Sequence, residues 1–158
     1  METPIAVLMV ELVMSADRLV TTASGSSPQP GQWTPQVVLG HVATNDRKNW
    51  MPRVTAMVQA HRDAAAPVTF DWYEPAPEVF EDAFGDMSID EAGAALLSSR
   101  TALVTMLREL GTDDWQARAV HSVFGELDVR GLLFQVLAHD EQHRGDLLGV
   151  TSEGTLDT

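Results

Sequence analysis

The segment DVRGLLFQVLAHDEQHRGDL, residues 128–147, has the pattern of a single amphipathic helix that carries two histidines. Asp128 can cap its first turn, because a short acidic side chain accepts hydrogen bonds from the free N–H groups there. Apolar positions recur every three or four residues, which is the period of an α-helix. One face holds Leu132, Val136, His139, His143 and Leu147. Since residues four apart stack on a helix, His139 and His143 direct two imidazoles to one place.

Two further helices have equally clear patterns. The first shows helical spacing of its apolar residues, which are Ile5, Leu8, Met9, Leu12, Val13, Ala16, Leu19 and Val20. The other begins at Ser88, where the Ser88 hydroxyl and the Glu91 carboxylate are spaced as a capping box. Its stripe includes Leu96, Leu103 and Leu107, and we expect Gly111 to end it.

A fourth helix begins at Pro35, which follows the potential cap Thr34 and occupies a first helical position that needs no N–H donor. Its stripe places His41 among apolar residues, which are Val37, Val38 and Val42, with Asn45 one turn later. Pro52 either ends this helix or kinks it, and the later apolar residues indicate that it resumes toward His61.

The connections between these helices differ in length. Residues 64–86 contain three prolines and the aromatic residues Phe70, Trp72 and Tyr73, and we predict a long ordered loop that walls a pocket. Residues 120–127 place β-branched residues around Gly125, which is compatible with a short hairpin or an extended strap. Four amphipathic helices with one long crossover predict an all-α protein, a four-helix bundle, whose sites form from side chains on facing helices.

The composition narrows the function classes. With 10 Lys and Arg against 23 Asp and Glu, the formal net charge is −13, which repels nucleic acid and anionic lipid. No apolar run approaches the length of a membrane span, and the first residues lack the basic start of a secretory signal, so we expect a cytoplasmic protein. The chain has no cysteine, so any metal must be held by histidine, carboxylate or water.

The histidines allow two interpretations. If His41 meets His139 and His143 from a neighbouring helix, three nitrogens enclose a divalent cation and leave positions open for water or substrate. Alternatively, the rings are hydrogen-bonded core residues, with Asp46, Asp140 or Glu141 as a partner. In the metal interpretation, Asp46 or Asp140 accepts the second ring N–H of a ligand.

Other candidate residues have weaker patterns. The histidines at 139 and 143 stand in the sequence HDEQH, which is not the HExxH motif. The general base of a zinc protease is therefore missing, and a peptidase is not expected. His61 and His121 have no partner at ligand spacing, and we expect structural roles for both. Arg100 lies on an apolar stripe, where its guanidinium is expected to meet a carboxylate. No GxSxG, GxGxxG or phosphate-loop pattern occurs.

Three motifs resemble the DinB/YfiT-like superfamily of metal-dependent proteins. They are Trp33-Thr34-Pro35 followed by Val38-Leu39-Gly40-His41-Val42-Ala43, then Phe124-Gly125, and last Leu137-Ala138-His139-Asp140-Glu141-Gln142-His143. The resemblance covers residues 5–150. It implies an up-down-down-up four-helix bundle, frequent homodimers, and a divalent metal on His41, His139 and His143. We therefore expect one such domain over residues 1–150 and a polar tail at 151–158.

The resemblance also suggests a reaction class. Some members are transferases or isomerases that use mycothiol or bacillithiol, and others have been proposed as hydrolases. The mycothiol-dependent isomerases carry an acidic metal ligand that the all-histidine set lacks, so we do not expect their reaction. The leading hypothesis is a small metalloenzyme that activates a low-molecular-weight thiol or water for attack on a small electrophile. Zinc is the first choice, and nickel, manganese or iron fit the same nitrogens if more waters bind.

Two other function classes stay open. The bundle is alternatively a non-catalytic module, in which a metal or hydrogen-bonded histidines organise the core and the surface mediates dimerisation. A third possibility is a small-molecule binding module that uses Phe70, Trp72 and Tyr73, with an affinity indifferent to metal. No catalytic side chain can be assigned from the sequence.

Overall fold

The computed structural model describes residues 2–150, and the predicted polar tail at 151–158 lies outside the described residues. This part of the chain forms six α-helices: α1 (Ile5–Ser24), α2 (Pro35–Asn45), α3 (Met51–Arg62), α4 (Pro77–Phe84), α5 (Ile89–Arg108) and α6 (Val129–Leu147). Three strands accompany them: β1 (Val68–Phe70), β2 (Arg118–His121) and β3 (Gly125–Asp128). The prediction of an all-α protein built on a four-helix bundle is confirmed. None of the helices between residues 2 and 150 is long and apolar enough to cross a lipid bilayer.

The bundle has two apolar layers along its length. Helix α1 packs against α5 and α6, and α2 packs against α5. One layer includes Leu12, Trp50, Leu103 and Val136. The other includes Leu96 together with buried residues of α1, α2 and α6. Burial of such side chains is the main force that holds amphipathic helices together.

Of the four sites at which the sequence predicts a residue that caps or ends a helix, two have the predicted hydrogen bonds. The Ser88 hydroxyl and the Glu91 side chain form the predicted capping box, and the Asp128 carboxylate accepts from the Gly131 N–H at 2.8 Å. Thr34 precedes α2, but its hydroxyl makes no capping hydrogen bond. The prediction that Gly111 ends α5 is wrong: the helix ends at Arg108, and the Gly111 N–H donates to the Asp114 carboxylate at 2.8 Å.

The predicted long loop over residues 64–86 is also wrong, because this segment contains strand β1 and helix α4. Strand β1 pairs in parallel with β2, with Phe70 opposite His121, and β2 pairs with β3 as an antiparallel hairpin. The hairpin confirms one of the two alternatives for residues 120–127. A strand of three residues carries almost no local signal, since its stability comes from the partner strand.

Pro52 neither ends nor sharply breaks the second helix. A π-helical turn at Asp46–Trp50 joins α2 to α3, and Pro52 is the second residue of α3. Because proline has no N–H, the preceding turn cannot keep the regular hydrogen-bond pattern, and a wider turn accommodates the loss. Asp46, Asn49 and Trp50 are buried in this turn. The widened turn therefore supplies polar side chains to the interior of the bundle.

Candidate metal centre

Three imidazole rings converge between α2 and α6. The His139 Nε2 lies 3.2 Å from the His41 Nε2 and 3.1 Å from the His143 Nε2. One ligand-type atom from each of the three residues fits within 4.8 Å of the others. His41 and His143 are only 4% and 3% exposed, and His139 is half-buried. The structure thus brings together all three histidines on which the sequence prediction rests.

The spacing of the nitrogens is compatible with one shared cation. Nitrogen ligands about 2.0–2.1 Å from a divalent ion lie roughly 2.8–3.4 Å apart, depending on the coordination angle. The two Nε2–Nε2 distances of 3.2 and 3.1 Å fall in that range. All three rings present the same atom, Nε2, so Nδ1 is left to carry the proton of each neutral ring. The donor set therefore fits a divalent metal.

The surroundings keep the rings of His41 and His139 neutral. Burial and the neighbouring His143 lower the pKa of His41 from 6.5 to about 3. Burial, the two other rings and Arg100 lower the pKa of His139 well below its usual value. Neutral imidazole is the form that coordinates metals, so the site needs no deprotonation near neutral pH.

The expected partners of the ring N–H groups are not the observed ones. Asp46 and Asp140 bind Arg100, so the outer roles predicted for these two carboxylates are wrong. Glu141, a possible partner only in the alternative without a metal, pairs with Arg144 at 2.9 Å. Within residues 2–150, the Nδ1 atoms of His139 and His143 have no hydrogen-bond partner. The Asp146 carboxylate lies 3.2 Å from the His143 Nδ1 but is not aligned with it as a hydrogen bond.

Sequence reasoning overlooked Asp146. A signal for it existed, because a residue three positions after His143 on a helix lies next to it on the surface. Asn45 was placed on the right face: its Nδ2 lies 3.3 Å from the His41 Nε2 and donates to the His41 carbonyl at 3.1 Å.

Beside the triad, Arg100 of α5 forms a buried network that links α1, α6 and the π-helical turn. Its Nε and Nη2 donate to Asp46 at 3.0 and 3.2 Å, and its Nη1 and Nη2 donate to Asp140 at 2.6 and 3.0 Å. The remaining Nη1 hydrogen goes to the Leu12 carbonyl at 2.8 Å. Ser99 and Ser15 each donate to one of the carboxylates. The predicted meeting of Arg100 with a carboxylate is confirmed, and all five guanidinium hydrogens have an acceptor.

Aromatic rings close one side of the triad. The Trp33 and Phe80 ring centroids lie 5.0 and 4.6 Å from that of His41. Phe80 belongs to α4, the helix that the sequence did not predict, and α4 packs against α2 at Gly40. A Cβ atom at Gly40 would overlap the Phe84 ring. Gly40 therefore permits the close approach that brings Phe80 against His41.

A cavity of about 610 Å³ opens on the other side, with His41 and His139 in its wall. This volume lies in the range of small-molecule sites. Trp72 and Tyr73 line the cavity, as predicted for the aromatic segment, whereas Phe70 lies in β1 and is not part of the lining. The triad is thus shielded by aromatic rings on one side and accessible from a ligand-sized space on the other.

The other two histidines lie apart from the triad. His61 makes a 3.0 Å contact with Asp113 on the surface. His121 is buried at the end of β2, where its Nδ1 accepts hydrogen bonds from the hairpin backbone. These contacts agree with the structural roles expected, although His121 also lines the cavity, which its sequence position did not indicate.

The fold and the site together define a helical-bundle protein with a buried cluster of three histidines beside an aromatic cavity. The family model of the DinB superfamily matches residues 12–147, so the chain belongs to the DinB superfamily. A comparison with curated protein sequences finds no match.

Two solved structures share the fold. YfiT from Bacillus subtilis, described as a probable metal-dependent hydrolase with an unusual four-helix bundle topology, is 12% identical with a TM-score of 0.66. The match covers 91% of this chain and 87% of that one. A mutant of the mycothiol-dependent maleylpyruvate isomerase is 16% identical with a TM-score of 0.64, over 95% of this chain. This chain spans only 62% of the isomerase chain.

Proposed function

We propose that this protein is a small metal-dependent enzyme that binds a divalent cation through His41, His139 and His143. The observation that carries the proposal is the convergence of three Nε2 atoms beside a ligand-sized cavity, with His41 and His139 in the cavity wall. Zinc is the first candidate, and nickel, manganese or iron suit the same nitrogens with a larger number of waters. The metal dependence attributed to YfiT supports the same assignment.

The proposed reaction is attack by a low-molecular-weight thiol or by water on a small electrophile. When bound, a divalent cation would supply a Lewis acid that lowers the pKa of a coordinated thiol or water toward neutrality. The three histidines would hold the cation, while the Trp33 and Phe80 rings pack against His41. Trp72 and Tyr73 offer apolar surface for the body of the substrate.

The two structural relatives support different nucleophiles. YfiT is described as a hydrolase, which uses water, and the isomerase is described as mycothiol-dependent. We favour the thiol, and water is the alternative. The homodimer and the cytoplasmic location expected from the sequence stay predictions.

A tag-free preparation provides the test. The protein is loaded with one metal at a time and assayed with an ester, and separately with a thiol plus 1-chloro-2,4-dinitrobenzene. We expect turnover that depends on the metal and that is lost in His139→Ala, with Arg62→Lys as a surface control. If chelation lowers the melting temperature while neither probe turns over with any metal, the non-catalytic alternative is correct.

A further inference from the structure

The His121 side chain has an unpaired hydrogen-bond donor in the cavity wall. Its Nδ1 accepts from the backbone N–H groups of Val123 and Phe124 at 3.0 and 3.3 Å. A neutral ring with an accepting Nδ1 carries its proton on Nε2. That Nε2 is buried, in a residue only 2% exposed, and has no partner among residues 2–150. An unpaired buried donor is costly, and His121 belongs to the cavity lining, so a ligand that reaches the Nε2 would supply the acceptor that the ring lacks.

Arg53 lies in the wall of the same cavity, next to His121. Its guanidinium stacks over the Phe70 ring at 4.8 Å, and Phe70 is directly opposite His121 in the sheet. One Nη2 hydrogen goes to the Asp71 carbonyl, and no carboxylate in the described part of the chain lies within ion-pair distance. Burial and then the charge of Arg53 lower the pKa of His121, which agrees with the proximity of the two groups, while the charge of Asp71 opposes this shift.

The charges in the cavity wall are unbalanced at this position. Arg53 is the only arginine or lysine among the described residues that line the cavity. The one acidic residue in the lining, Glu141, pairs with Arg144. Around His121, the Trp72 and Phe124 rings form an apolar surface, with ring centroids 6.0 and 4.4 Å from that of His121. A cation and an N–H donor beside aromatic rings suit an anionic group on an apolar body.

We infer that Arg53 and His121 form a subsite that binds the carboxylate of the organic substrate, with its apolar body against Trp72 and Phe124. The inference rests on the proposed function in one respect: since the nucleophile belongs at the triad, the carboxylate held here belongs to the electrophile. Arg53 supplies charge and the His121 Nε2 supplies a directed hydrogen bond. The substrates are therefore small aryl or alkyl carboxylates in preference to their neutral analogues.

Matched probes test this preference. Binding of 4-phenylbutyrate and 4-phenylbutyramide, which share one apolar body and differ in carrying a charged carboxylate or a neutral amide, is measured by titration calorimetry with the zinc-loaded protein. We expect the carboxylate to bind about tenfold more tightly, as one charge-assisted hydrogen bond requires. Arg53→Gln should reduce the preference to about twofold or less, whereas Arg47→Gln, a surface change on the neighbouring turn, should leave it intact.

The contribution of His121 is tested with His121→Asn, which keeps an acceptor for the hairpin backbone but lacks the Nε2 donor. We expect the carboxylate preference to fall by about threefold to tenfold. Equal binding of both probes by the wild type, or an unchanged preference in Arg53→Gln, would overturn the inference. If His121→Asn does not fold, judged by circular dichroism, the Arg53→Gln result decides.

A metal-free arm separates this inference from the proposed function. Chelated protein that remains folded should retain the carboxylate preference, because Arg53 and His121 do not belong to the triad. If the chelated protein retains the preference and the metal-loaded protein turns over no probe with any metal, the result supports the subsite and contradicts the enzyme. A preference that disappears with the metal assigns the carboxylate to the cation and overturns the subsite.

Discussion

The triad and the Arg100 network are neighbouring buried polar regions of the same bundle, but their hydrogen bonding is opposite. Every N–H of the Arg100 guanidinium has an acceptor, and serines complete its two carboxylates. In the triad, three Nε2 atoms crowd together, and two Nδ1 atoms have no partner among residues 2–150. Buried polar groups are normally satisfied within the protein. The contrast agrees with a structural role for the network and with the proposal that the triad binds a cation.

Replacing Arg100 by methionine should have the largest effect on stability. The variant leaves Asp46 and Asp140 buried without a counter-ion, and such a change costs about 3–5 kcal/mol. Urea unfolding monitored by circular dichroism measures the loss. Arg62→Met is the control, because the Arg62 guanidinium is 55% exposed and solvent screens its pair with Asp114, so we expect a much smaller loss. Similar losses in the two variants would contradict the structural role of the network.

Acid should destabilise the metal-free protein through the triad. His41 has a pKa of about 3 when folded and 6.5 when unfolded, and the pKa of folded His139 is also low. Below pH 6.5 the unfolded chain takes up protons that the folded chain does not. The free energy of unfolding is therefore highest above pH 6.5 and decreases as the pH falls. Two such rings predict a loss of about 2–3 kcal/mol between pH 7.5 and 5.5.

The same urea titrations measure this pH dependence. His41→Gln should reduce the slope of the unfolding free energy against pH to about half, because one of the two titrating rings is gone. A slope that does not change in His41→Gln would show that the acid sensitivity has another source.

Substitution of Gly40 should disturb the closed side of the triad. Gly40→Ala places a Cβ where the Phe84 ring lies, so α4 must shift and take Phe80 away from His41. Overpacking of this kind costs about 1–3 kcal/mol in unfolding free energy. Gly25→Ala is a suitable control, since the nearest atoms to its Cβ are 3.9 Å away. Equal stability of the two variants would contradict the packing of α4 on α2.

The smallest effect is expected at Asp146. Asp146→Asn removes the charge next to the His143 Nδ1, and loss of such an outer partner weakens metal binding by about tenfold. The stability of the metal-free protein should hardly change, because the Asp146 carboxylate is 42% exposed. Zinc competition titrations measure the affinity, and Glu141→Gln removes the same charge from the same helix as a control. Equal zinc affinities in both variants would exclude a specific role for Asp146.

The sequence predicted the features that depend on local periodicity. His139 and His143 share a face because they are four residues apart, and the apolar stripe placed His41 toward the interior. The capping residues Ser88, Glu91 and Asp128 were found because their chemistry acts within one turn. The family resemblance rested on the same local motifs.

Features that depend on tertiary contacts were missed. Strand β1 needs β2 as its partner, and α4 is short and mostly exposed, so neither has a strong local pattern. Asp140 was assigned to the histidines because it follows His139 in the chain. Successive helical residues are about 100° apart, however, and the rotation turns Asp140 toward Arg100. The proximity of Arg53 and His121 arises only from the packing of α3 against β1 and β2.

The metal content of tag-free protein tests the central claim most directly. The protein is loaded with zinc and desalted, and its metal is measured by inductively coupled plasma mass spectrometry. The wild type should contain about one zinc ion per chain, as expected for a three-histidine site. His143→Ala should contain almost none, and His61→Ala, which alters a surface histidine, should match the wild type. An undiminished zinc content in His143→Ala would contradict the assignment of the triad as a metal site.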